Sequence, residues 1–159
     1  MIITVEGNIG SGKSTILKHL ESLNNDNIVF VPEPVAEWLN IKVEGKNVLE
    51  MFYENQKENS FWFQVLAYIT RLRNFMSIVE ANPDKIIVCE RSIYTDKYVF
   101  ARMLYEAGNI NEIEWKTYCY WFNTFKEKTK LDVILYVNTK PDECFNRINK
   151  RSRPEEVNK

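Results

Sequence analysis

A chain of 159 residues, 45% hydrophobic and 27% charged, can bury a core without disulfide or metal staples and has the composition of a single soluble globular domain. Its net charge of −1 argues against a nucleic-acid polymer or an anionic membrane as partner, but leaves room for a local basic site that takes a small phosphorylated ligand. No apolar run approaches the ~20 residues of a membrane span. The N-terminus lacks the basic-then-apolar layout of a signal peptide, so an intracellular, cytoplasmic protein is expected. Cys89, Cys119 and Cys144 are far apart, odd in number and in no metal spacing, which fits free thiols in a reducing compartment.

In chain order, Ile2–Val5 is the first of four short apolar runs rich in β-branched residues; the others are Ile28–Val31, Ile86–Cys89 and Val133–Val137. Near-continuous apolar runs of this kind are expected of parallel strands buried on both faces. Helical patterns lie near 13–23, 46–54, 58–81, 93–107, 111–129 and 141–151. Strands alternating with helices predict an α/β layered fold with right-handed crossovers. In the long helix, Phe61, Val65, Tyr68, Leu72, Phe75 and Val79 recur at steps of three and four, a core-facing stripe. Trp115, Tyr118, Trp121, Phe122 and Phe125 form a similar aromatic group, read as core with a subunit interface as the alternative. His19, the only histidine, falls in the first helix and reads as a surface residue.

The first strand runs into Gly7-Asn8-Ile9-Gly10-Ser11-Gly12-Lys13-Ser14, which fits G-x-x-x-x-G-K-[ST] in the strand-to-helix context that motif requires. Glycines let the backbone curl so that successive N–H groups face phosphate oxygens, and the helix starting near Lys13 adds its positive end. Lys13 is expected to bridge the β- and γ-phosphates, and Ser14 to ligate Mg²⁺. Three of the five glycines in the chain fall within these residues, so a coincidental tight turn is a poor account of them.

The second strand ends in Pro32-Glu33-Pro34 and the third in Glu90-Arg91-Ser92. Flanking prolines restrict the backbone around Glu33. In open parallel sheets ligands bind beyond the carboxyl ends of strands, where the loop, Glu33 and Glu90 all lie. One acid is expected to act as base or orienter for the attacking hydroxyl and the other to hold the metal; spacing alone does not say which. Thr139-Lys140-Pro141-Asp142 imitates a guanine-reading [NT]-K-x-D, but a switch-type D-x-x-G is excluded because Lys42 and Tyr105 stand three residues before Gly45 and Gly108. The segment reads instead as a helix start, with Thr139 capping, Pro141 in the first turn, and Asp142 and Glu143 favourable there. Arg147 and Arg151, four apart, can face one anion from that helix.

The ordered set EGNIGSGKST (6–15), EPVAEW (33–38), Phe63-Gln64 with Arg71 seven residues later, ERSIYTDKYVF (90–100) and RSRPEE (151–156) resembles the deoxynucleoside kinases. These include deoxycytidine and deoxyguanosine kinases, mitochondrial thymidine kinase and the insect multisubstrate enzyme, and the match runs from Thr4 to Glu156. The resemblance implies a P-loop kinase fold, a parallel sheet flanked by helices on both faces, in a single domain over 1–159. It also implies ATP-dependent phosphorylation of a deoxynucleoside 5′-hydroxyl, with Mg²⁺ and ATP, in a homodimer serving nucleotide salvage. Glu33 looks like the base; Lys13 and Arg91 would share in catalysis. Gly7 through Thr15, with Arg147, Arg151 and Arg153 as lid arginines, would bind the phosphates, and Ser14 with Glu90 the metal. Trp38, Gln64 and Ala67 would line the base, Tyr53 and Glu156 would hold the 3′-hydroxyl, and Arg91 would sit near the 5′-oxygen. Gln64, Ala67 and Arg71 indeed share one helical stripe.

Arg71 and Asp96 stand where deoxycytidine and deoxyguanosine kinases carry an Arg–Asp pair beside the base. Such a pair fills the space of a thymine methyl, which favours deoxycytidine and purine deoxynucleosides over thymidine. Relatives continue past the lid with a helix, a fifth parallel strand and an adenine-covering loop. Four strands are visible here and the chain stops three residues after Glu156, so a C-terminally truncated domain with an exposed sheet flank is expected. The competing readings are a nucleoside monophosphate (thymidylate-like) kinase and a catalytically impaired nucleotide-binding protein.

Overall fold

The computed structural model describes residues 1–151. In chain order these form β1 (Ile2–Gly7), α1 (Lys13–Glu21), β2 (Ile28–Val31), α2 (Val35–Asn40), β3 (Lys42–Val43), β4 (Lys46–Asn47), α3 (Val48–Glu54) and α4 (Gln56–Ala81). Then follow β5 (Ile86–Glu90), α5 (Ile93–Thr95), a π-helical stretch (Asp96–Ala101), α6 (Arg102–Glu106), α7 (Glu112–Phe125), a 3₁₀ turn (Lys126–Thr129), β6 (Val133–Val137) and α8 (Pro141–Arg151). The chain divides into two compact units. The first holds Met1–Glu33, Phe75–Ser92 and the described chain from Lys130; the second holds Pro34–Asn74 and Ile93–Thr129.

The first unit is built on a four-stranded sheet in the order β2-β5-β1-β6, with every pairing parallel. Alternate residues of each strand go to opposite faces. On one face Val31, Ile87 and Cys89 pack with Phe75 of α4. On the other, Val5 and Val88 pack with Leu17 of α1. Helices thus flank the sheet on both faces, as expected of apolar parallel strands. The expectation of two buried faces fails for β6: Ile134 and Tyr136 are 61% and 67% exposed, and Val133 and Leu135 are exposed as well. β6 is an edge strand, and its apolar run reads the same whether or not it is covered.

The second unit is helical. Asn47 and Asn111 each open a helix with a complete capping box, to Glu50 in α3 and Glu114 in α7, so both helices start just inside the predicted bounds. Tyr68, Leu72 and Phe75 of the predicted stripe are buried, and Phe61, Val65 and Val79 half-buried. Of the aromatic group on α7, Tyr118 and Phe122 are core, whereas Trp121 is 46% exposed. Two elements had no expectation attached: α2, a short helix entered through Pro34, and a β3–β4 hairpin turned at Glu44 and Gly45, both with positive φ. The segment 93–107 is continuously helical up to Glu106 but widens into a π-turn at 96–101. The three cysteines are free thiols.

Candidate active site

In the sheet unit, the loop from Gly7 to Ser14 curls tightly where β1 ends. Gly10 adopts φ +77°, and a Cβ there would lie 2.5 Å from the Cys144 carbonyl oxygen, so only glycine fits. Gly12, also left-handed, is the residue before α1; no side chain caps that helix and its first turn carries no acid. The free N–H groups of an uncapped helix start are a ready anion site.

Lys13 is buried, and its Nζ donates to the carbonyls of Gly7 (3.1 Å) and Asn8 (2.8 Å). Burial, and next the Arg91 guanidinium, lower its pKa to about 8, partly opposed by Glu90, Glu33 and Glu6. An anion placed on the loop favours the charged form and lifts that pKa again. Polyphosphate affinity is therefore expected to hold steady below pH 8 and to fall as pH rises above it. Calorimetry just above that pH, in two buffers of different ionisation enthalpy, should record uptake of up to one proton. Absence of any uptake would remove Lys13 from the contact.

Ser14 Oγ donates to Glu90 Oε1 at 2.7 Å, bringing together the two residues expected to hold a metal. A hydroxyl and a carboxylate are hard oxygen donors that suit Mg²⁺, which takes most of its shell from water and phosphate. No cluster of three or more acidic, His or Cys side chains occurs among the described residues, so a dedicated protein cage is not what they offer.

Arg91 follows β5 in the left-handed region, φ 66°, an uncommon state for a non-glycine residue that clusters at functional sites. Among the contacts that hold it, its N–H donates to Val5 O at 3.1 Å, Nη1 donates to Gly7 O at 3.0 Å, and Nε stands 3.6 Å from Glu33 Oε1. Glu33, Arg91, Lys13, Ser14 and Glu90 are thus assembled around one loop. Arg147 is placed differently from a free lid arginine: Nη1 donates to Ser11 O at 3.1 Å, and Nη2 is bonded to Glu143. Arg151 ends α8, and Arg153 and Glu156 lie outside the described residues.

Thr139 does not cap α8. The Lys140 carbonyl accepts the first helical bonds, Pro141 is the first helical residue, and the Thr139 hydroxyl donates to Ser11 O at 2.9 Å. The helix begins one residue later than the N-cap pattern suggests, which leaves Lys140 at the cap position and turns the Thr139 hydroxyl to a tertiary acceptor.

In the helical unit, Gln64, Ala67 and Arg71 are all buried on α4. Arg71 Nε donates to Asp96 Oδ2 at 2.8 Å, with the two side chains 6% and 3% exposed. Asp96 opens the π-turn, a distortion that recurs at functional positions. Trp38 is buried edge-on to Phe63, and its indole N–H donates to Thr70 Oγ1 at 3.0 Å. Phe52 stacks on Phe63 and lies against Tyr53. Tyr68 and Tyr118, expected as core residues and not as part of a site, meet edge to face; burial and then Asp96 raise both phenols, Tyr68 to about 12.

The family model described as "Deoxynucleoside kinase" matches residues 3–159. The chain belongs to the deoxynucleoside kinase family. The sheet unit accordingly has the α/β P-loop kinase architecture of that family. "Deoxycytidine kinase 2" of Gallus gallus is 37% identical over 175 residues, covering 97% of this chain and 66% of the relative. Human "Deoxycytidine kinase" is 38% identical over 97% of this chain and 67% of the relative. "Deoxyguanosine kinase, mitochondrial" of Xenopus laevis is 33% identical over 97% of this chain and 65% of the relative. The chain thus spans about two thirds of the length of the curated relatives it matches.

Proposed function

We propose that this chain carries the phosphoryl-transfer site of an ATP-dependent kinase acting on the 5′-hydroxyl of a deoxynucleoside. The observation that carries the reading is the convergence on one phosphate loop of a buried lysine, a Ser14–Glu90 oxygen pair and the Glu33–Arg91 pair. In this reading Lys13 and the loop N–H groups take the donor phosphates, and Glu33 accepts the 5′-hydroxyl proton. Arg91 offsets developing charge. Ser14 and Glu90 would hold Mg²⁺, which would supply charge neutralisation on the phosphates. Trp38, Tyr53, Gln64 and Ala67 would face the nucleoside, and Arg147, Arg151 and Arg153 the transferred group. ADP release measured across deoxynucleosides and monophosphates tests the reading: turnover only with monophosphates would make it a monophosphate kinase, and none at all a silent nucleotide binder.

The Arg71–Asp96 pair supports deoxycytidine and purine deoxynucleosides as acceptors over thymidine, in keeping with the relatives' names. Removing both charges together, Arg71→Met with Asp96→Ala, avoids stranding one buried ion. It should raise kcat/KM for thymidine relative to deoxycytidine by ~10–200-fold, since methyl-sized room in a pocket is worth about 1–3 kcal/mol. A ratio unmoved by the double change, or a parent that already prefers thymidine, would detach specificity from the pair.

Exposed Tyr98, Val99, Met103, Tyr120 and Trp121 on the helical unit support a homodimer, checked by sedimentation. No helix among the described residues is long and apolar enough to cross a membrane, and the free thiols support a reducing, cytoplasmic setting.

A further inference from the structure

The carbonyl of Ser11 sits in a phosphate-binding loop yet receives two donors from the far end of the sequence. Thr139 Oγ1 reaches it at 2.9 Å and Arg147 Nη1 at 3.1 Å. Ser11 is only 2% exposed, so water has little access to that oxygen and protein donors must satisfy it. The back of the loop lies directly on the same segment. The Cys144 carbonyl is where a Cβ on Gly10 would fall, and Arg147 Nη1 is 3.3 Å from where one on Gly12 would fall.

The carbonyl of Ser11 and the N–H of Gly12 belong to one planar trans peptide, so they point in opposite directions. A pair of donors that fixes the oxygen toward the start of α8 therefore fixes the Gly12 N–H away from it. We infer that Thr139 is a positioning residue for anion binding, holding the Ser11–Gly12 peptide, together with Arg147, in the orientation that presents the Gly12 N–H to phosphate. The inference rests on the phosphate-loop reading above. It explains why the Thr139 hydroxyl is withdrawn from the helix end it was expected to cap. It also gives Arg147 a task in the ligand-free loop. The Thr139 hydroxyl links loop and helix without touching the ligand. Its loss is expected to weaken binding of the phosphate chain and to leave nucleoside affinity alone.

The test uses Thr139→Val, which keeps the shape and removes the hydroxyl, and Thr139→Ser, which restores it. Binding of MgATP and of deoxycytidine is measured by calorimetry, and the ¹⁵N–¹H resonance of Gly12 is followed with and without MgATP. Thr139→Val should bind MgATP about 3- to 10-fold more weakly, the net worth of one hydrogen bond. Deoxycytidine affinity should stay unchanged, and the Gly12 resonance should be displaced already in the free protein. Thr139→Ser should return both readouts to within twofold of the parent. If the valine variant does not fold, Arg147→Met removes the other donor and must displace the same resonance. MgATP affinity unchanged in Thr139→Val, or an unmoved Gly12 resonance in whichever variant folds, overturns the brace while leaving the phosphate loop in place. A parent that binds no MgATP overturns both.

Discussion

Replacing Lys13 with alanine is expected to lower the rate of phosphoryl transfer by at least ~10²–10³-fold, the effect of removing one preorganised electrostatic partner from a reacting group. The other cations near the loop cannot stand in for it. Arg91 and Arg147 are each tied to a loop carbonyl, of Gly7 and Ser11, so neither guanidinium can move into the place of the Lys13 ammonium. The fold should survive the change. Lys13 is buried with a pKa lowered from 10.5 to about 8, so its charged form is disfavoured in the folded state. That penalty is fully present below pH 8 and disappears as pH rises toward 10.5. Alanine removes the penalty together with two hydrogen bonds, so the thermal midpoint at neutral pH should move by only a few degrees. Turnover in the variant within about threefold of the parent, roughly 0.65 kcal/mol of barrier, would end the kinase assignment. A collapse of the melting transition would instead make Lys13 a structural residue.

What could be read from the residues was whatever local rules determine. The loop motif, the four β-branched runs and the acids closing β2 and β5 all rest on neighbours in sequence, and the strands stand where expected. Ser14 and Glu90, far apart in sequence, meet at 2.7 Å because parallel strands bring their carboxyl ends to one edge, a consequence of fold class alone. The Arg71–Asp96 contact was expected only through family resemblance, since no periodicity connects a helix residue with one beyond the next strand. Where tertiary structure chooses between equal local options, the sequence was silent or misleading. Thr139 satisfies an N-cap pattern but donates to Ser11. Val133–Val137 has the apolar run of a covered strand, and only the resemblance, through the absent fifth strand, led us to expect the exposed flank that β6 forms. The π-turn at 96–101 leaves the helical period of its segment nearly intact, so the pattern that predicts a helix is blind to it.

Glu33→Gln is expected to separate chemistry from binding. Glutamine keeps the side chain's length and an acceptor oxygen, so the approach of Arg91, now 3.6 Å from Oε1, should persist without a strong charge. The Arg91 guanidinium is not stranded by the change, because Nη1 continues to donate to Gly7 O. The Glu33 side chain is 25% exposed, so water can relieve any residual imbalance, and stability should be nearly unaffected. A neutral amide cannot accept the 5′-hydroxyl proton. Loss of a positioned general base typically removes ~10²–10⁴ from the rate. The expected result is a fall of that size in kcat with deoxynucleoside affinity, followed by tryptophan fluorescence, held within a few-fold. A large loss of nucleoside binding with kcat preserved would make Glu33 a positioning residue. The base would then have to be Glu90, the other acid at the same sheet edge, already bonded to Ser14.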